Sequence, residues 1–199
     1  MALSTTTVRG HARKAILDAA DGLFYRDGIR ATSVDAVADE AGVTKRTLYH
    51  HFESKDDLIA AYLERRDEPT RVALAAKATA VADAPAARVL AVFDVLARFF
   101  ATSDCRGCAF LNAASECASD SRVRRAAIAH KDATEAWFRE QLTAAGSREP
   151  AAYAAMLMLL LDGALARSLL YPDGPPVRAA RDAAAIILRE AGIAIPRTA

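Results

Sequence analysis

The stretch Ala41-Gly42-Val43-Thr44-Lys45-Arg46-Thr47-Leu48-Tyr49-His50-His51-Phe52 decides the fold of this chain. Gly42 lies between two short segments and permits the tight turn that an abrupt change of helix axis requires. Beyond it, Leu48 and Phe52 are four residues apart, hence on one helical face, and Val43, Val37 and Ala38 supply apolar partners for that face. The opposite face carries Thr44, Lys45, Arg46, Thr47, Tyr49 and His50. These side chains can donate to phosphate oxygens and to base edges in a major groove. From Val43 to Lys55 the formal charge is +2. Two short helices about a tight turn, the second with a donor-rich outer face, form the pattern of a helix-turn-helix. A solvated helix pair with incidental basic residues shares the bare spacing, so the flanking sequence has to separate the two.

Upstream, Thr32-Ser33-Val34-Asp35 places a hydroxyl three residues before a carboxylate, a capping-box-like start for a helix that ends at Gly42. Before it, a helix over about residues 8–27 carries Ile16, Leu17, Ala20, Leu23 and Phe24 on one face, and Gly28 is a natural left-handed stop. Downstream, Ser54-Lys55-Asp56-Asp57 repeats the hydroxyl-plus-acid cap and opens a long helix through Leu58, Ile59, Tyr62 and Leu63. Pro69 predicts a kink or a break in it, because proline removes a donor and clashes with the preceding turn. Pro85 suits a first helical position, and Val89, Phe93, Leu96 and Phe100 follow as an apolar stripe. Further helices are expected over about residues 107–116, 121–145, 151–171 and 177–191, with Pro172-Asp173-Gly174-Pro175-Pro176 separating the last two. The reading is all-α: nine helices, a three-helix helix-turn-helix domain over residues 1–55 and a second helical domain over residues 56–199.

Composition agrees. Alanine supplies 48 of 199 residues, against 9 glycines and 7 prolines, so helix formers far outnumber helix breakers. A net charge of +1 excludes a uniformly polycationic wrapper of nucleic acid but not a local basic patch. Three cysteines do not make a disulfide scaffold. The N-terminus is polar and basic with no apolar signal region, and the longest uncharged stretch near the other end, residues 150–161, is shorter than the roughly 18 residues a membrane span needs. These features predict a soluble, cytoplasmic protein with no membrane partner. The chain has no P-loop, dinucleotide glycine fingerprint, HExxH or GxSxG. No enzymatic activity, cofactor or metal is therefore expected.

The set Ala31-Thr32-Ser33, Val37-Ala38, Ala41-Gly42-Val43-Thr44, Thr47-Leu48-Tyr49-His50-His51-Phe52, Ser54-Lys55 and Leu58 resembles the DNA-binding domain of TetR/AcrR-type transcriptional regulators, over about residues 10–63. Gly107-Cys108-Ala109-Phe110-Leu111-Asn112-Ala113-Ala114 resembles the start of a core helix in many members. Leu161-Asp162-Gly163-Ala164 resembles their dimer-forming penultimate helix. The resemblance implies a homodimer that binds double-stranded operator DNA and answers to a small-molecule effector. It implies a phosphate contact at Thr32 beside Ser33, a backbone clamp from Tyr49 and Lys55, base reading by Lys45, Arg46 and Thr47, and capping of the recognition helix by Thr44. Arg46 stands where several members have glycine or another small residue, which adds reach and charge. Asp35 lies near a position that can contact DNA, and its negative charge works against such a contact.

Large apolar groups in the later helices suggest an effector pocket lined by Tyr62, Phe93, Leu96, Phe100, Phe110, Trp137 and Met156, with Asn112, His130 and Thr134 as its polar groups. The same spacing would serve a filled core. For dimerisation, Leu157, Leu160, Leu161, Ala164 and Ser168 recur at three- and four-residue steps, with Ala184 and Ile187 on a comparable stripe of the last helix; these faces pair two copies or close the monomer core. Cys105-Arg106-Gly107-Cys108 has CxxC spacing but no further ligands for zinc. It leaves structural cysteines or a thiol-based sensor of oxidants and electrophiles as alternatives. His50 and His51 point about 100° apart on a helix and do not readily share an ion. One is expected to contact DNA and the other to pack. The other rival is a helical small-molecule binding protein without operator recognition; intact Lys45, Arg46, Tyr49 and Lys55 speak against it.

Overall fold

A computed structural model of the protein describes residues 5–102, 106–118, 121–171 and 175–195. Among them are nine α-helices and no strand: α1 (Thr5–Asp27), α2 (Val34–Glu40), α3 (Lys45–His51), α4 (Lys55–Val81), α5 (Pro85–Thr102), α6 (Ala109–Glu116), α7 (Arg122–Ala144), α8 (Pro150–Ser168) and α9 (Pro175–Glu190). The all-α expectation and the helix order hold. Where they depart from the sequence reading, local chemistry gives the reason. Ser33, not Thr32, caps α2, its hydroxyl accepting from the Ala36 amide at 3.0 Å. Thr32 instead turns its hydroxyl back to the Gly28 carbonyl at 2.8 Å. Pro69 does not end α4, which runs unbroken from Lys55 to Val81.

Two compact units emerge from the packing. The first comprises Met1–Asp67 with Ala109–Ile128, the second Glu68–Cys108 with Ala129–Ala199. This division differs from the expected one at residue 55: the first unit takes in the opening turns of α4 and also α6 with the first turns of α7.

The first unit holds α1, α2 and α3 around buried Ile16, Leu17, Ala20, Phe24, Val37, Ala38, Leu48, Phe52, Leu58, Ile59, Tyr62 and Leu63. Phe24 and Tyr62 meet edge to face at 5.7 Å between centroids, a favoured aromatic geometry. Helices of seven residues are not stable on propensity alone, so packing and caps hold α2 and α3. Gly28 and Gly42 both adopt positive φ, +93° and +65°, and each reverses the chain after a helix as the sequence predicts. Arginines on α4 tie down α1: Arg65 bonds Asp18 at 2.8 Å and the Leu17 carbonyl at 2.9 Å, and Arg66 bonds Asp21 at 2.6 Å beneath the Tyr25 ring.

The second unit is more apolar. Its core runs through Val89, Leu90, Val92, Phe93 and Phe100 of α5, Phe138 and Leu142 of α7, Ala154, Leu157, Met158, Leu161 and Ala164 of α8, and Val177, Ala184 and Leu188 of α9. α8 packs on α9, and α5 also packs on α9. α8 is long and apolar enough to cross a membrane by length and composition. It nonetheless carries Asp162, paired with Lys131 of α7 at 2.5 Å, and one of its faces is buried in this core.

Candidate nucleic-acid interface

The geometry of α3 follows from its two ends. Thr44 has extended backbone and its hydroxyl accepts from the Thr47 amide at 3.1 Å, which satisfies one of the first-turn donors that a helix leaves unpaired. Phe52 ends the helix in extended conformation, buried, with the Arg13 guanidinium 5.3 Å from its ring centre. Leu48 is fully buried, so the helix is fixed in rotation about its own axis. Lys45, Arg46, Tyr49 and His50 are left exposed and Thr47 half-exposed. Arg46, Thr47, Tyr49 and His50 line one shallow surface depression. The expected donor face therefore exists as one continuous surface.

Its electrostatics are not uniform. Lys45 is paired with Asp35 of α2 at 2.9 Å, and that hydrogen bond holds the Lys45 ammonium above its usual pKa. Asp35, which sequence reasoning placed as an awkward negative charge near the DNA, is thus the partner that orients the first residue of α3. Arg46 projects beside it with its guanidinium uncommitted to any hydrogen bond or ion pair among the described residues. Tyr49, 45% exposed, presents its ring and hydroxyl on the same surface.

The two remaining expected contacts sit differently. Thr32 is buried and its hydroxyl is committed to Gly28, so the side chain is not offered to a phosphate; Ser33 beside it is exposed but engaged as the α2 cap. This corrects the role expected of Thr32, whose hydroxyl closes the α1–α2 corner. The Lys55 ammonium donates to the Ile29 carbonyl at 2.5 Å, which ties the start of α4 to the same corner. An ammonium has three donors, so this bond leaves two for other acceptors.

Residues expected to line an effector pocket are divided. Tyr62, Phe110 and Asn112 belong to the first unit; Phe93, Leu96, Phe100, His130, Thr134, Trp137 and Met156 belong to the second. Tyr62, Phe93, Phe100 and Phe110 are buried, Leu96 and Trp137 partly so. Thr134 is buried and its hydroxyl donates to the His130 carbonyl at 2.9 Å, a back-bond to its own helix. Met156 is 47% exposed and faces solvent, a correction to its placement in the pocket.

A further correction concerns the dimer stripe. Leu157, Leu161, Ala164, Ser168 and Ala184 are buried within the chain itself, and only Leu160 and Ile187 remain half-exposed. The stripe that periodicity predicts is the core-facing one. The face left open on α8 is Ala152, Met156, Leu159, Gly163 and Ala166, continued by Leu170 just past the helix. That spacing alternates between three and four residues and joins small to large side chains. Periodicity predicts one stripe on α8 for either pairing two copies or closing the core, and burial shows that this stripe closes the core.

Cys105 lies outside the described residues. Cys108 and Cys117 are free thiols, both partly buried. Burial pushes the Cys117 thiol above its usual pKa, away from the thiolate that oxidants and electrophiles attack. Among the described residues no group of three or more His, Cys, Asp or Glu is placed to hold a metal.

Comparisons with known proteins agree with this arrangement. Residues 16–62 match the family model described as bacterial regulatory proteins, tetR family, and residues 83–191 match that of the tetracyclin repressor-like C-terminal domain. The crystal structure of a TetR-family transcriptional regulator from Streptomyces coelicolor superimposes with a TM-score of 0.82 at 33% identity, covering 92% of this chain and 96% of that one. Over 54 residues the chain is 43% identical to the transcriptional repressor KstR2 of Rhodococcus jostii, which is 27% of this chain and 26% of that protein. Over 57 residues it is 44% identical to the transcriptional activator FasR of Mycolicibacterium smegmatis, 29% of this chain and 26% of that protein. The chain thus matches about a quarter of the length of these curated relatives. With a capped and rotationally fixed α3, a donor-rich outer face, and both family models matched in order, this chain belongs to the TetR family of DNA-binding transcriptional regulators.

Proposed function

We propose that the protein is a cytoplasmic repressor that binds a two-fold-symmetric operator as a homodimer and is released by a small, largely apolar effector. The observation that carries this reading is the α3 surface of Arg46, Thr47, Tyr49 and His50 beside the Lys45–Asp35 pair. A single helix of seven residues reads too few bases for specificity, and two copies in successive major grooves, about 34 Å apart, double the site. The open α8 seam from Ala152 to Leu170 supports a second copy, since small residues at alternating three- and four-residue steps admit close helix approach. Repression is preferred because the relative KstR2 is named a repressor. The apolar effector follows from the aromatic content of the helices beyond α3, and it acts only if it favours a dimer whose two α3 helices are wrongly spaced for the grooves.

Selecting bound duplexes from a random pool with the purified protein tests the reading. Palindromic sequences should be enriched. Tyr49→Ala should weaken binding to all sequences by a similar factor, since phosphate contacts carry little sequence information. Arg46→Ala should relax preference at particular base pairs, by about 1–3 kcal/mol for a bidentate contact. Enrichment of no symmetric sequence, or a Tyr49→Ala variant with unchanged affinity, would overturn it.

A further inference from the structure

Two charged residues stand at the wrong ends of their own helices. Glu116 is the last residue of α6 and Arg122 the first of α7. A helix C-terminus carries partial negative charge and an N-terminus partial positive charge, so each residue is disfavoured by the helix that carries it. Local consistency would have reversed the signs, and such conflicts mark residues kept for a partner elsewhere.

Glu116 finds its partner at the corner before α2, and Arg122 finds its partners on α4. A Glu116 carboxylate oxygen accepts from the Arg30 backbone amide at 2.7 Å, and the Arg30 guanidinium donates back to the Glu116 carbonyl at 3.3 Å. Arg30 belongs to the corner between α1 and α2. Three successive residues of that corner are each held, one by the corner's own Thr32 and two by other helices. The Gly28 carbonyl accepts from Thr32, the Ile29 carbonyl accepts from Lys55 of α4, and the Arg30 amide donates to Glu116 of α6. On the other side, Arg122 pairs with Asp57 and, at 3.2 Å, with Glu64 of α4. Asp57 in turn accepts from the Glu53 amide at 3.3 Å, in the turn that ends α3. The chain before α2 is thus pinned by the end of α6, and the chain after α3 by the start of α7. The first compact unit accordingly includes Ala109–Ile128.

We propose that Glu116 and Arg122 are positioning residues for operator binding: they clasp the two ends of the α2–α3 pair and hold the recognition helix at its docking angle without touching DNA. The inference rests on the reading of α3 as the operator-contacting helix. Misplacing α3 costs operator affinity in proportion to the contacts that must re-form. The number of phosphates neutralised does not change, so the salt dependence stays as it was.

The test uses the full-length protein and the duplex recovered by selection. Glu116→Ala should lose about ten-fold in operator affinity, the scale of a lost hydrogen bond to a charged acceptor, at an unchanged slope of log affinity against log salt. Glu116→Gln, which keeps an acceptor oxygen for the Arg30 amide, should stay within about three-fold of the parent. Hydrogen exchange of the Arg30 amide, measured without DNA, should accelerate in Glu116→Ala. Parental affinity in Glu116→Ala, equal losses in the Ala and Gln variants, a changed salt slope, or unchanged Arg30 exchange would each overturn the proposal. If Glu116→Ala does not fold, Arg122→Gln decides, with several-fold weaker binding at an unchanged slope expected and parental binding overturning it. A parent protein that binds no duplex would instead sink the operator reading, while the Arg30 exchange would still decide the clasp.

Discussion

The two compact units are held together by different means. In the first, short helices depend on hydroxyl caps at Ser33 and Thr44, on arginine bridges from α4 to α1, and on bonds that cross the sequence from Arg30 to Glu116. In the second, helices of 16 to 19 residues in α8, α9 and α5 bury a continuous apolar core, and ion pairs such as Arg181–Asp94 and Lys131–Asp162 supplement it. The difference follows from what each surface must present. A helix that leaves donors exposed on most of its circumference retains a narrow buried face, here Leu48 with Phe52 just past its end, so directional polar bonds supply the precision that core volume supplies elsewhere.

The largest effect should come from the second unit's core. Phe138→Ala removes a fully buried ring between α7 and its neighbours and should cost about 3–5 kcal/mol by denaturant unfolding. A loss below about 1 kcal/mol would show that the core there is more compliant than its burial implies. An intermediate effect is expected at the α3 cap. Thr44→Ala should cost about 1 kcal/mol and should weaken DNA binding more than that, because the cap sits on the recognition helix; equal losses in both would remove the distinction between the two units. The smallest effect on stability should come from Asp35→Asn, which breaks an exposed pair with Lys45 and should leave the denaturant midpoint nearly unchanged. The same change releases the Lys45 ammonium and deletes a negative charge from the proposed DNA-facing surface. Affinity for non-specific duplex should therefore rise and its salt dependence steepen; a fall in non-specific affinity would mean that Asp35 is needed to hold Lys45 in a binding rotamer.

Local chemistry was legible in the chain. The stops at Gly28 and Gly42, the start of α3 at Thr44, Ser54 opening α4 by accepting from the Asp57 amide, and Pro85 at the head of α5 each depend on neighbours within about four residues. So did the donor face of α3, because 3.6-residue periodicity sets Lys45, Arg46 and Tyr49 against buried Leu48 without reference to anything distant.

What the sequence left open were choices between equivalent local options, and tertiary contacts made them. Thr32 and Ser33 were both able to cap α2; the Gly28 carbonyl claimed Thr32. Pro69 signalled an interruption, yet α4 continues through it with Pro69 exposed to solvent. The α8 stripe of Leu157, Leu161 and Ala164 suited either a second copy or the core, and packing of the second unit turned it inward and left Met156 and Leu159 outside. Glu116 and Arg30 are 86 residues apart. Short-range pattern thus determined the helices, their caps and the surface of α3, because those depend on backbone geometry and near neighbours. Partner choice for Thr32, Lys45, Lys55 and Glu116 was decided only in three dimensions, because charge and hydroxyl pairing is blind to sequence separation.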